Sequence, residues 1–173
     1  LLLLYCFWEI TAVCSWKLIG FYRQEKDLKA ADRAFLVTFF GASLLLAGIV
    51  MVFFSYGSLD LYFLKGKTLP MITSFLLLAG IISKSAQLPL QTWLPDAGVA
   101  PTPVTALLHA AVLVKIGVYV FARLFGQTFL AHPAFFSAVI TLSIATIIVG
   151  AASALVENNL KRILAYSTIS QLG

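Results

Sequence analysis

A series of apolar runs, each too long for a soluble core, constrains this chain more than any other feature of its sequence. The first runs from about Leu1 to Tyr22, the second from Ala34 to Tyr56, the third from Leu69 to Trp93. A fourth covers Val104 to Phe125, a fifth Pro133 to Val156, and a sixth begins near Lys161. Four or more of them exceed the roughly 18 apolar residues that read as a bilayer span. Inside a bilayer every backbone donor and acceptor must be satisfied within the protein, so runs of this kind are helices. Only 11% of the 173 residues are charged and 61% are hydrophobic, against about 25% and 45–50% in soluble domains. A soluble globular protein is excluded. The expected fold class is all-α: a polytopic membrane helix bundle of about six transmembrane helices.

The third run is expected to be a discontinuous helix. Pro89 interrupts it, and Pro95, Pro101 and Pro103 follow in Leu94-Pro-Asp-Ala-Gly-Val-Ala-Pro-Thr-Pro103, which one continuous helix cannot accommodate. Pro89 and Pro95 are the expected helix-break positions, whereas Pro101 and Pro103 also fit the ordinary opening of a helix. Broken backbone at membrane depth is tolerated only where it is buried in protein or lines a cavity.

The formal charge of +5 does not point to nucleic acid, because the basic residues flank the apolar runs instead of forming one patch. Connections after runs one, three and five carry Arg23, Lys26, Lys29, Arg33, Lys161 and Arg162; the other side carries Lys65, Lys67 and Arg123. By the positive-inside rule the first set faces the cytoplasm, which places residue 1 near the outer surface. The expected location is the cell (cytoplasmic) membrane, multi-pass. Cys6 and Cys14 show no metal-ligand spacing and read as two small core residues. The chain opens on four leucines without Met or a basic segment, unlike a signal peptide, and stops within a new apolar segment at Gln171-Leu-Gly173. It reads as a piece, over residues 1–173, of one longer membrane domain.

Glu9, Lys84, His109 and Lys115 lie within apolar runs, and Lys161 opens the sixth. A charge at the bilayer centre costs about 2.5–3.5 kcal/mol even on the permissive insertion scale, and such residues default to an ion or proton pathway. Loss of hydration favours a neutral amine and a nearby carboxylate favours an ammonium. At roughly 8 Å in an effective dielectric near 20 that attraction is about 2 kcal/mol. A carboxylate such as Glu9 that approaches or leaves Lys84 therefore makes a proton switch. His109 fits either a relay between lysines or a satisfied core histidine. A lysine is a poor ligand for a metal cation, which favours H⁺ over Na⁺ on this path. Lys17 is close enough to the end of its run to snorkel, Arg123 reads as an interface anchor, and His132, beside Pro133, as exposed. Nothing in the sequence ligates haem, flavin or an iron–sulfur cluster, so no cofactor is expected.

Two long motifs then resemble one family. They are Lys84-Ser-Ala-Gln-Leu-Pro-Leu-Gln-Thr-Trp-Leu-Pro-Asp-Ala with Ala-Pro-Thr-Pro-Val-Thr-Ala-Leu-Leu-His109, and Asn159-Leu-Lys-Arg-Ile-Leu-Ala-Tyr-Ser-Thr-Ile-Ser-Gln-Leu-Gly173. Together with Phe7-Trp8-Glu9 and Leu18-Ile-Gly20, they are similar to the proton-conducting membrane subunits. That family comprises antiporter-like subunits of complex I, large subunits of Mrp-type antiporters, and membrane subunits of energy-converting hydrogenases and formate hydrogenlyase.

The resemblance implies a larger antiporter-like fold of about fourteen helices. It implies Glu9 and Lys84 as a modulating pair, with His109, Lys115 and Lys161 continuing the translocation path. The implied partners are other membrane subunits of a multisubunit complex, lipid and H⁺, with Na⁺ on another path, if at all. Asn159 stands where many members carry Asp, and Leu36–Ser43 lacks the Asn-Arg-Val-Gly-Asp run common in the largest complex I subunits; the latter points towards the Mrp or hydrogenase branch. The alternatives are a stand-alone transporter of a small solute and a non-conducting scaffold subunit.

Overall fold

The computed structural model describes residues 1–108 and 112–173. Helix α1 is Leu2–Ile19, α2 Glu25–Tyr56, α3 the single turn Leu61–Leu64 and α4 Met71–Lys84. Then follow α5, Trp93–Asp96, a 3₁₀ turn Ala97–Val99, α6, Thr102–Ala106, and α7, Leu113–Phe121. A π-helical turn Ala122–Gly126 precedes α8, Pro133–Val156, and α9, Leu160–Leu172. Two short strands, β1 (Lys67–Thr68) and β2 (Phe129–Leu130), pair in parallel.

The expectation of about six continuous spans is corrected in detail. Among the described residues α1, α2 and α8 are long and apolar enough to cross a bilayer, while α4 is a shorter apolar helix. The third crossing is discontinuous, as expected. The fourth is also irregular: α6 and α7 are separated at Val112, whose backbone is non-helical and whose N–H reaches the Leu107 carbonyl five residues back at 3.1 Å. Helix α2 begins nine residues before its apolar run, so most of the expected polar connection is helical. Its first turn carries Glu25 and Asp27, which favour the positive end of a helix, and Lys29 pairs with Glu25 one turn earlier at 2.7 Å.

Small residues let α2 and α4 approach closely, as expected for helices in lipid. A Cβ on Gly41 would collide with the Ser83 side chain, and one on Gly80 would lie 2.5 Å from the Cβ of Leu45. The connections alternate between two ends of the bundle. At one end the β1–β2 pair and the bond from the Leu1 amino group to the Leu59 carbonyl at 2.8 Å gather the connections after α2 and before α8. At the other, Asp96 joins Arg33 and Arg162.

Large apolar side chains are exposed along α1, α2 and α8, Leu155 at 88% and Phe54 at 83% among them, and a continuous apolar surface of this kind is covered by lipid or by further protein. This is a multi-pass membrane protein. Helix α1 buries Trp8, Ala12, Ser15 and Ile19 on one face and leaves Leu3, Ile10 and Val13 on the other. Cys6 and Cys14 are exposed with that outer face, correcting their reading as core residues. In an all-round apolar helix the inward face is set by what packs on it, which the pattern does not encode.

Candidate functional site

Lys84 is the last residue of α4 and is fully buried. Its Nζ donates to the Trp8 carbonyl and to Thr11 Oγ1 of α1, both at 2.6 Å, and lies 4.9 Å from the centre of the Trp8 ring. Thr11 Oγ1 donates its own proton to the Trp8 carbonyl at 2.7 Å, so its lone pairs face the lysine. These groups accept or polarise towards a cation. Hydrogen bonds to a charged group contribute about 1.5–3 kcal/mol each, and a positive charge at a helix C-terminus gains further from the dipole. Together they offset the cost of burial.

Glu9 is half-buried on the same turn of α1 and accepts a hydrogen bond from Tyr5 Oη at 2.9 Å. Among the described residues no ion pair joins it to Lys84. The lysine is held by neutral acceptors, with the carboxylate beside them and engaged elsewhere.

The break behind Lys84 keeps its polar backbone satisfied, as membrane depth demands. The Ile81 carbonyl receives Ser85 N–H at 3.0 Å, Ile82 receives Gln87 N–H at 2.9 Å, and Ser83 receives the indole N–H of Trp93 at 3.0 Å. Ala86, fully buried, turns the chain at a φ of 51°. The N–H of Leu88 is taken up by Thr146 Oγ1 of α8 at 3.3 Å. Gly117 of α7 closes over the same place, where a Cβ would meet the Ile81 carbonyl at 2.8 Å.

Pro89 lies in the non-helical segment between α4 and α5. Pro95 instead sits inside α5, in a first turn whose N–H groups have no intrahelical partner. It therefore does not break a helix, which corrects its expected role.

Lys161 is in a different setting. It stands at the start of α9, where Asn159 caps the helix by accepting from the Lys161 N–H at 3.0 Å, and its Nζ donates to the Ala100 carbonyl at 2.8 Å. Lys115 of α7 is exposed. Together the two lysines line a cavity of about 430 Å³ with Thr102, Thr105, Ser167 and Gln171. The structure thus sorts the expected residues into Glu9 with Lys84, and Lys115 with Lys161. His109 lies outside the described residues. Lys17 is exposed over the Trp16 ring at 4.4 Å, Arg123 bonds Gln127 at 2.6 Å, and exposed His132 caps α8 by accepting from Ala134 N–H at 3.1 Å.

Sequence reasoning missed Thr11, the Trp8 carbonyl and Tyr5 as partners of the buried charges. Tyr5 four residues before Glu9 was a readable signal; the Thr11 contact depends on how α1 meets α4 and was not. It also missed Asp96, whose carboxylate lies 2.5 Å from Arg33 and 3.7 Å from Arg162. Arg162 additionally approaches Glu157 at 3.3 Å. These pairs are partly exposed, where an isolated bridge contributes about 0.2–1 kcal/mol, so their interest is positional: one carboxylate holds α2, α5 and α9.

Comparison with known proteins places this geometry. The family described as NADH:quinone oxidoreductase/Mrp antiporter, TM, matches residues 1–173. The chain is 42% identical over 183 residues to NADH-quinone oxidoreductase subunit L of Escherichia coli (strain K12), covering 100% of this chain and 30% of that protein. It is 39% identical over 186 residues to the chloroplastic NAD(P)H-quinone oxidoreductase subunit 5 of Poa pratensis, covering 100% of this chain and 26% of the relative.

Among solved structures, the Mrp complex from Dietzia sp. DQ12-45-1b contains a similar chain, with TM-score 0.85 and 36% identity, over 97% of this chain and 19% of that one. Respiratory complex I from Thermus thermophilus matches with TM-score 0.81 and 28% identity, over 99% of this chain and 38% of that one. The chain thus spans between about a fifth and two fifths of the length of these proteins. With oxidoreductase subunits and an Mrp chain both similar to it, the missing Asn-Arg-Val-Gly-Asp run does not by itself select a branch. A helix bundle interrupted at a buried lysine, matched from end to end, makes this chain a member of the NADH:quinone oxidoreductase/Mrp antiporter transmembrane family.

Proposed function

We propose that this chain forms part of a subunit that moves protons across a membrane, without redox chemistry of its own, within a complex I-like, hydrogenase-linked or Mrp-type assembly. One observation carries the reading: a fully buried lysine ends an interrupted helix, held by the Trp8 carbonyl and Thr11 hydroxyl, with Glu9 on the same turn of the facing helix. A structural cation would be matched by a buried anion. Here the partners are neutral and the anion stands aside, so the proton on Nζ is held by contacts that small movements of α1 against α4 strengthen or release. Glu9 modulates Lys84, Lys115 and Lys161 continue the path through their shared cavity, and His109 is the relay between lysines that the sequence suggests. The remainder of the assembly supplies the driving force and the other membrane subunits. The end bearing Arg23, Lys26, Lys29, Arg33, Lys161 and Arg162 faces the cytoplasm of a cell whose cytoplasmic membrane holds the complex.

The experiment is gradient- or redox-driven acidification of membrane vesicles carrying the complete parent complex, wild type against Lys84→Ala, with assembly and electron-transfer rate measured in parallel. Loss of proton movement in an assembled complex is the expected result. Unchanged proton movement would overturn the reading.

A further inference from the structure

Between Lys84 and Lys161's partner Ala100, α5 and the 3₁₀ turn after it are tied into the bundle at both ends. Trp93, Leu94, Ala97 and Ala100 are fully buried, and the Trp93 indole N–H clamps α5 back onto the Ser83 carbonyl at 3.0 Å. That carbonyl belongs to the residue directly before Lys84. Three residues beyond Trp93, the Asp96 carboxylate takes Arg162 of α9 at 3.7 Å and Arg33 of α2 at 2.5 Å. Four residues further, the Ala100 carbonyl takes Lys161 Nζ at 2.8 Å. One end of this segment is clamped to the carbonyl beside the lysine held by α1; the other holds the start of α9 through two adjacent cationic residues.

We propose that Asp96 is a positioning residue: through the Trp93–Ser83 clamp it ties the placement of Lys84 to that of Lys161, so that a displacement at one lysine is delivered to the other. The inference rests on the proton-transfer reading given above. Electrostatic anchoring at Asp96 fixes one end of the segment, the indole clamp transmits, and neither group exchanges the translocated proton. One end of this segment bonds the carbonyl beside Lys84 and the other bonds Lys161, a chain of packed and hydrogen-bonded groups of the kind that carries coupling between sites.

The test uses the complete subunit in its assembled complex and compares Asp96→Asn, Asp96→Glu, Trp93→Phe, the Asp96→Asn/Trp93→Phe double variant and Lys84→Ala. Proton movement per turnover is read with assembly and thermal midpoint. Asp96→Asn and Trp93→Phe are each expected to lower proton movement about fivefold, within the range by which residues along a coupling element act. The double variant is expected to be no worse than either single one, and Asp96→Glu to recover at least half the loss.

Losses that multiply in the double variant, or an Asp96→Asn complex that pumps normally, would overturn the proposal. So would a fall in thermal midpoint that accounts for the lost activity, with no rescue by Asp96→Glu. Should Asp96→Asn fail to assemble, Trp93→Phe, which keeps an aromatic side chain but removes the N–H donor together with part of the buried ring volume, decides alone: normal pumping refutes the clamp. Normal pumping by Lys84→Ala would instead sink the underlying reading. Loss there with normal Asp96→Asn sinks this inference only.

Discussion

Lys84 and Lys161 are the same residue in opposite settings. Lys84 is sealed, with no exposed surface, against neutral acceptors from a helix seventy residues away in sequence. Lys161 opens a helix beside ion pairs and an open cavity of mixed polar and apolar lining, bonded to one backbone carbonyl. The difference teaches that a lysine within or beside an apolar run marks an expensive position without saying how the expense is met. Around Lys84 it is met by tight packing and a few hydrogen bonds that cannot be replaced by water. Around Lys161 solvent and neighbouring charges share the load.

That comparison breaks if the two regions respond alike. The largest effect is expected from Lys84→Ala: proton movement by the assembled complex should fall at least about tenfold, a barrier increase of about 1.4 kcal/mol. Gly41→Ala should come next, because its methyl group would strike Ser83. Overpacking of this kind costs about 1–3 kcal/mol, to be read as a lowered thermal midpoint of the purified complex. Gly98→Ala, in the Lys161 region, is the matched control. Its Cβ would meet Lys161 at an ordinary 3.5 Å, and the stability read from the midpoint should change by no more than about 0.5 kcal/mol.

Thr11→Val removes one acceptor from Lys84 without changing the shape of the site. Loss of a buried bond to a charged group, about 1.5 kcal/mol, should lower proton movement several-fold while the complex assembles normally. The smallest effect is expected from Arg162→Gln on stability: its bridges are partly exposed, and the stability read from the midpoint should fall by about 1 kcal/mol or less. A larger fall there would show that the wet region is held as rigidly as the dry one.

The apolar runs made the helical membrane fold readable, and Pro89 made the interruption readable, because both follow from what a bilayer forbids. The positions of Glu9 and Lys84 were legible for the same reason. Their partners were not: Thr11 and the Trp8 carbonyl reach Lys84 through the packing of α1 beside α4, which a hydropathy pattern does not encode. Pro95 misled because a proline in a first turn and a proline in a broken strand of backbone look identical in sequence. The helical start of α2 was hidden for a related reason, since charged residues that read as a loop in a hydropathy pattern are also good helix formers. Asp96 sat in view within a motif, yet its role depends on Arg33 and Arg162, which only the fold brings to it.

The parallel pairing of β1 with β2 sets a length standard for the molecule. It places the starts of α4 and α8 side by side, and from those starts both helices count thirteen residues to the break: Met71 to Lys84 on one, Pro133 to Thr146 on the other. At about 1.5 Å per residue both reach the same depth, roughly 20 Å in, where Thr146 meets the N–H that the interruption leaves free. The uninterrupted helix is thus a ruler for the interrupted one. A residue inserted before Thr146 would turn its hydroxyl by about 100° and strand the Leu88 amide. The length of one helix down to this depth is thus tied to the length of the other.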